Sequence, residues 1–177
     1  MKILLAMVRP SIRIISVLLC LLLAVGAVSA QDTIKTLQRT EVTTTGVSLI
    51  PPVGYVQLPE QNNFMSTSSF TIIQVNSFTD KSYSESNADK YLNAHIEDKG
   101  LTLNSRKKIQ LANGKEAILY NLTITAERKG QTLTFEKVVL LAGDDTKLVW
   151  IDSVFPAEKK GMVYRDLYDS ILTTEFK

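Results

Sequence analysis

The sequence predicts an α+β domain: a mostly antiparallel β-sheet with helices packed on its faces. Three observations carry this expectation. Residues 101–156 read as four strands joined by three tight turns at Asn113-Gly114, Arg128-Lys129-Gly130-Gln131 and Gly143-Asp144-Asp145-Thr146. Two segments, Asn87–Lys99 and about Glu158 or Lys160 to Thr173, place apolar residues at helical spacing. Between them Val138-Val139-Leu140-Leu141 is apolar at every position, so both faces of that strand need a cover.

Each element follows from local chemistry. Val47-Ser48-Leu49-Ile50 is a short strand broken by Pro51-Pro52. Gly54 opens a second, Tyr55-Val56-Gln57-Leu58, which Pro59 closes. Prolines at both ends suit an edge pair. Glu60 to Ser68 reads as a polar loop containing Phe64 and Met65. In Ser69–Phe78, Phe70 and Ile72 point to one side and Ile73 and Val75 to the other, a strand packed on each face. Ser86 and Asp89 resemble a capping box for the first helix, Gly100 supplies its left-handed stop, and Ala88, Tyr91, Leu92, His95 and Ile96 form its stripe. Asn-Gly at 113–114 suits a type I′ hairpin turn. In Ala117–Glu127 the residues Ile118, Tyr120, Leu122, Ile124 and Ala126 share one face, and Ala117, Leu119, Asn121, Thr123 and Thr125 the other. The closing helix carries Tyr164, Leu167, Tyr168, Ile171 and Leu172 on one stripe, which predicts a core element.

The N-terminus reads as an export signal over residues 1–30. Lys2, Arg9 and Arg13 precede the apolar run Ile14–Val25, and Val28-Ser29-Ala30 offers small residues for cleavage. A retained anchor is the rival reading, but the apolar core is shorter than the ~20 residues a spanning helix needs. Cys20 lies inside this run; Val17-Leu18-Leu19 before it lacks the small residues of a lipidation site. Cleavage leaves 147 residues with 17 basic and 18 acidic side chains and no cysteine. The apparent basicity therefore belongs to the leader and gives no argument for nucleic acid or for stable membrane insertion after cleavage. A cysteine-free exported chain suits a periplasmic or cell-envelope domain better than a disulfide-built secreted module. Residues 31–45 read as a flexible arm, and residues 46–177 as one domain.

The order of these elements resembles the PsbP-like superfamily. The resemblance rests on Gly46-Val47-Ser48-Leu49-Ile50-Pro51-Pro52-Val53-Gly54-Tyr55, the strand Ser69–Phe78 and the helix ending at Gly100. The hairpin Asn113-Gly114-Lys115-Glu116-Ala117 and the helix Tyr164–Leu172 followed by Phe176 complete it. It implies an α/β/α sandwich over residues 46–177. It implies little about function, because the members bind very different partners, and no binding residue carries over.

No constellation compels a chemistry, so no catalytic, cofactor-binding or metal-ligating residue is assigned. His95, the sole histidine, is a general-base or metal candidate that also belongs to an apolar helix stripe. Ser66, Ser68, Ser69, Ser82, Ser84 and Ser86 offer hydroxyls without a nucleophile elbow. Asp144-Asp145 with Asp152 could hold a hard cation, although Gly-Asp-Asp-Thr also suits a turn. Arg106-Lys107-Lys108 could meet an acidic partner or simply guard an edge strand. Trp150, Tyr120 and Phe135 could line an apolar pocket or belong to the core. Asn121-Leu122-Thr123 fits the N-glycosylation pattern. The expectation is a non-enzymatic exported domain that binds an as yet unidentified protein partner. The alternatives are a small-ligand binder and a His95-dependent envelope enzyme.

Overall fold

The computed structural model describes residues 38–177, so the leader over 1–30 and the first part of the 31–45 arm lie outside the described residues. In chain order the elements are β1 (Thr40–Val42), β2 (Val47–Leu49), β3 (Val56–Leu58), β4 (Asn63–Ser66), β5 (Thr71–Phe78), α1 (Glu85–Lys99), β6 (Thr102–Gln110), β7 (Glu116–Arg128), β8 (Gln131–Asp144), β9 (Lys147–Pro156), α2 (Lys160–Leu172) and β10 (Glu175–Phe176). Seven strands make one antiparallel sheet in the order β3-β4-β5-β9-β8-β7-β6, and β1-β2-β10 make a second, smaller one. The predicted four-strand meander is present as β6 to β9. Among the described residues no helix is long and apolar enough to cross a membrane.

The large sheet is buried on both faces at its centre because β7, β8 and β9 are apolar at consecutive positions. One face packs Ile73, Val75, Leu119, Leu140 and Ile151 under α2 (Val163, Leu167, Ile171) and the small sheet (Val42, Val47, Leu49, Phe176). The other packs Ile118, Tyr120, Leu122, Val139, Leu141 and Leu148 under Ala88 and Leu92 of α1. The alternation read in Ala117–Glu127 assigns these faces as expected.

Several local expectations are corrected. Val42 is buried in β1, so the end of the supposed flexible arm is a strand tied to β2. Val47–Leu49 and Val56–Leu58 are not partners: between them Pro51-Pro52 and Gly54 carry the chain from the small sheet to the large one. The supposed loop Glu60–Ser68 contains β4, whose Phe64 is fully buried against Ile73. Helix α1 starts two residues early, with the Ser84 hydroxyl accepting the Asn87 N–H at 3.1 Å. Asp89 is drawn away from the cap by Arg106 and Tyr120. On α2 the fully buried stripe is Val163, Leu167, Ser170 and Ile171, with Tyr164, Tyr168 and Leu172 at its half-buried margin.

The turns exchange roles. At 113–114 only the glycine has a positive φ, so the expected type I′ pair is absent. The loop is instead held by Ala112 N–H to the Leu172 carbonyl at 2.8 Å and by the burial of Leu111. Lys129 and Gly130 both have positive φ (50° and 73°) and join Arg128 to Gln131, which is the type I′ arrangement.

Candidate binding surface

The sequence candidates separate into three groups. The first fastens α1. Arg106 reaches from β6 to Asp89 (Nε to Oδ1, 2.8 Å) and Glu85 (Nη2 to Oε1, 2.5 Å), and Lys108 reaches Glu85 at 2.6 Å. The Tyr120 hydroxyl donates to Asp89 Oδ1 at 2.8 Å. The Arg106 hydrogen bond holds the Asp89 carboxyl below its ordinary range, and burial pushes the Tyr120 phenol well up. Strand alternation puts Lys107 on the opposite face, as the sequence predicts. These bonds seat the N-terminal half of α1 over β6 and β7, at one side of a seven-strand sheet.

The second group is spent on local structure. Ser66 and Ser68 bond one another, Ser69 bonds Thr71, and Ser82 and Ser84 serve Asn87. Asp144 accepts from the N–H and hydroxyl of Thr146 in the β8–β9 turn, which lowers its carboxyl. Asp152 lies elsewhere, opposite Val139, and among the described residues no group of three or more acidic, histidine or cysteine side chains could hold a metal. Asn121 accepts from the Tyr164 hydroxyl and donates to Ser105, which commits both ends of its amide. Trp150, Tyr120 and Phe135 do not share a pocket: Tyr120 is core, while the other two are half-buried.

The third group converges. His95 packs edge-on against the Trp150 ring, with centroids 5.2 Å apart. The Trp150 indole N–H donates to Asp152 Oδ2 at 3.0 Å, and Lys137 Nζ sits 3.3 Å from Asp152 Oδ1. Burial, followed by the nearby Lys137 ammonium, pulls the His95 imidazole below its ordinary value. Among the described residues no serine hydroxyl hydrogen-bonds His95. The four side chains form a polar margin where α1 stops covering the sheet.

Beyond that margin lies a surface that reading the sequence strand by strand missed. One cross-strand row runs through all seven strands on the α1 side: Leu103, Leu122, Lys137, Val154, Ile72, Met65 and Val56. Only Leu122 and Lys137 are buried; Leu103 and Val56 are 43% and 48% exposed. A second row, Ile124, Phe135 and Pro156, lies two residues further along β7, β8 and β9. Phe70, 56% exposed, is held at a positive φ in the turn just before β5. The opposite face of the same strands is closed, since Phe64, Ile73 and Val75 are all fully buried. Among the described residues the roof is therefore complete on one side and partial on the other.

No family model matches this chain, and no curated protein does. Among solved structures, the cyanobacterial PsbP protein CyanoP of Synechocystis sp. PCC 6803 superposes over 86% of this chain and 99% of its own, with a TM-score of 0.59 at 10% identity. The chain has the PsbP-like fold. This PsbP-like domain is also similar to Mog1p, a Ran-binding protein of Saccharomyces cerevisiae, over 78% of this chain and 94% of that one (TM-score 0.56, 14% identity). LpqN of Mycobacterium tuberculosis, involved in cell envelope biogenesis, covers 74% and 83% respectively (TM-score 0.52, 10% identity). At such identities the likeness is one of fold, and the PsbP-like scaffold transmits no site.

Proposed function

We propose that this PsbP-like protein is an exported, non-enzymatic domain of the periplasm or cell envelope that binds a protein partner. The observation that carries the reading is the run Val56, Met65, Ile72 and Val154 on the α1 side of the sheet, exposed or half-buried among the described residues. Apolar side chains aligned across neighbouring strands, with exposed Val56 at one end and exposed Phe70 beside them, support an interaction surface there. Support for the setting comes from the leader-like residues 1–30 and from the envelope role named for LpqN. Mog1p offers a precedent for protein recognition on the same fold.

The test replaces Ile72 with a photo-crosslinking residue in the producing cell. The expected result is one crosslinked protein in the envelope fraction, lost on Val154→Asp and retained on His95→Gln. Loss of function with His95→Gln alone would support an enzyme instead. Recovery of the protein with Gln31 as its first residue would test export.

A second reading rests on the His95, Trp150, Asp152 and Lys137 cluster. A polar margin beside an apolar floor would suit a small ligand with an apolar body and one polar end. Isothermal titration with short-chain amides and alcohols would reveal it as heat lost in Asp152→Ala.

A further inference from the structure

We infer that the bare strip receives a single amphipathic α-helix of a partner protein, lying beside α1. The inference rests on the protein-binding role proposed above and adds the form of the partner. From Val56 on β3 to Phe135 on β8 the strip spans five neighbouring strands, with Met65, Ile72, Val154 and Pro156 filling the distance between. At ~4.8 Å per strand, with side chains at both ends, this is about 25 Å long, and it is at most about 10 Å deep, where Phe135 and Pro156 add a second row over β8 and β9. The footprint is on the order of 250 Å², well under the ~800 Å² that each side of a stable protein pair covers. A second copy of this chain is therefore a poor occupant. The outward residues of α1 argue the same way, because Ser86, Lys90, Asn93 and Glu97 are exposed and polar and could not fill a neighbour's strip.

The footprint does match one helix, about 10 Å across and 16–17 residues long at 1.5 Å per residue. An extended segment lying across the strip is excluded by its backbone. Laid on a sheet face, it would need partners for its own N–H and C=O groups. The strip offers only Gln74 and the Asp152–Lys137 pair, too few groups to satisfy an extended backbone. A helix brings its backbone bonds with it and presents apolar side chains alone.

The experiment titrates the protein, methyl-labelled at Ile, Val and Met, with a designed 17-residue peptide. Its leucines recur at i, i+3, i+4, i+7 and i+8 among Glu and Lys. A control peptide of the same composition alternates leucine with charge. The expected result is saturable shifts at Val56, Met65, Ile72 and Val154, with Ile73 unmoved, and at least tenfold weaker binding by the control and by Ile72→Asp. Tighter binding of the control, shifts along β6, the absence of saturable binding, or shifts that follow protein concentration alone would overturn the inference. Photo-crosslinking from Ile72 separates the two levels. A captured partner with no helical-peptide binding removes the helix and leaves the binding role; loss of both removes both.

Discussion

Ile72 and Ile73 are adjacent in β5 and face opposite ways, which makes them a measurement of how each face is covered. Ile73 is fully buried between Phe64 and Ser153, its cross-strand partners on the closed side. Ile73→Ala removes three carbons, a transfer loss of ~2.4 kcal/mol at ~0.8 kcal/mol per methylene. Because α2 and the small sheet cannot collapse onto the gap, a cavity penalty adds to it, for ~3–4 kcal/mol in all. Ile72 is half-buried on the open side, so Ile72→Ala loses about half the transfer term, roughly 1 kcal/mol, and leaves no cavity. Urea unfolding at 25 °C, followed by circular dichroism, should give equal slopes and a gap of ~2 kcal/mol or more between the variants. Equal losses within 0.5 kcal/mol would mean that the α1 side is as well covered as the other, and the proposed binding surface would not exist.

Three further outcomes are expected. At Gly143 (φ 148°) an added Cβ would lie 2.1 Å from the Lys147 carbonyl oxygen and 2.8 Å from Tyr83 Cβ, so Gly143→Ala should cost about 3–5 kcal/mol, lowering the melting temperature by ~10 °C or more. His95 titrates below its ordinary value when folded. The unfolded chain therefore takes up a proton first as pH falls below ~6.5, and stability, full above that pH, declines beneath it. His95→Gln should flatten that decline in pH-dependent urea unfolding. The Ser153 hydroxyl is buried without a partner among the described residues, so Ser153→Ala should hold or raise stability by up to ~1 kcal/mol in the same assay.

The meander and its two lids were legible because they depend on short-range signals: turn glycines, period-two alternation and helical stripes. What sequence could not give was placement across the chain. Phe64 looked like a loop residue because its strand is only four residues long and polar Asn63 and Ser66 bound it. Ser86 looked like the cap because the competing demand on Asp89 comes from Arg106, seventeen residues away. The cross-strand row draws one residue from each of seven strands, and no strand holds more than one of them. Lys137 was the available signal, a lone charge opening the apolar run Val138–Leu141. Its meaning required Asp152, which the register of β8 against β9 supplies.

The two lids differ in how firmly they are held, and this has a dynamic consequence. Helix α2 sinks four side chains into the core, whereas α1 sinks two and relies for the rest on ion pairs that water and salt can screen. The native state should therefore breathe at α1 first, its amides exchanging with deuterium well before those of α2. A visitor settling alongside α1 would quiet that motion, so slowed exchange there would report occupancy from a distance.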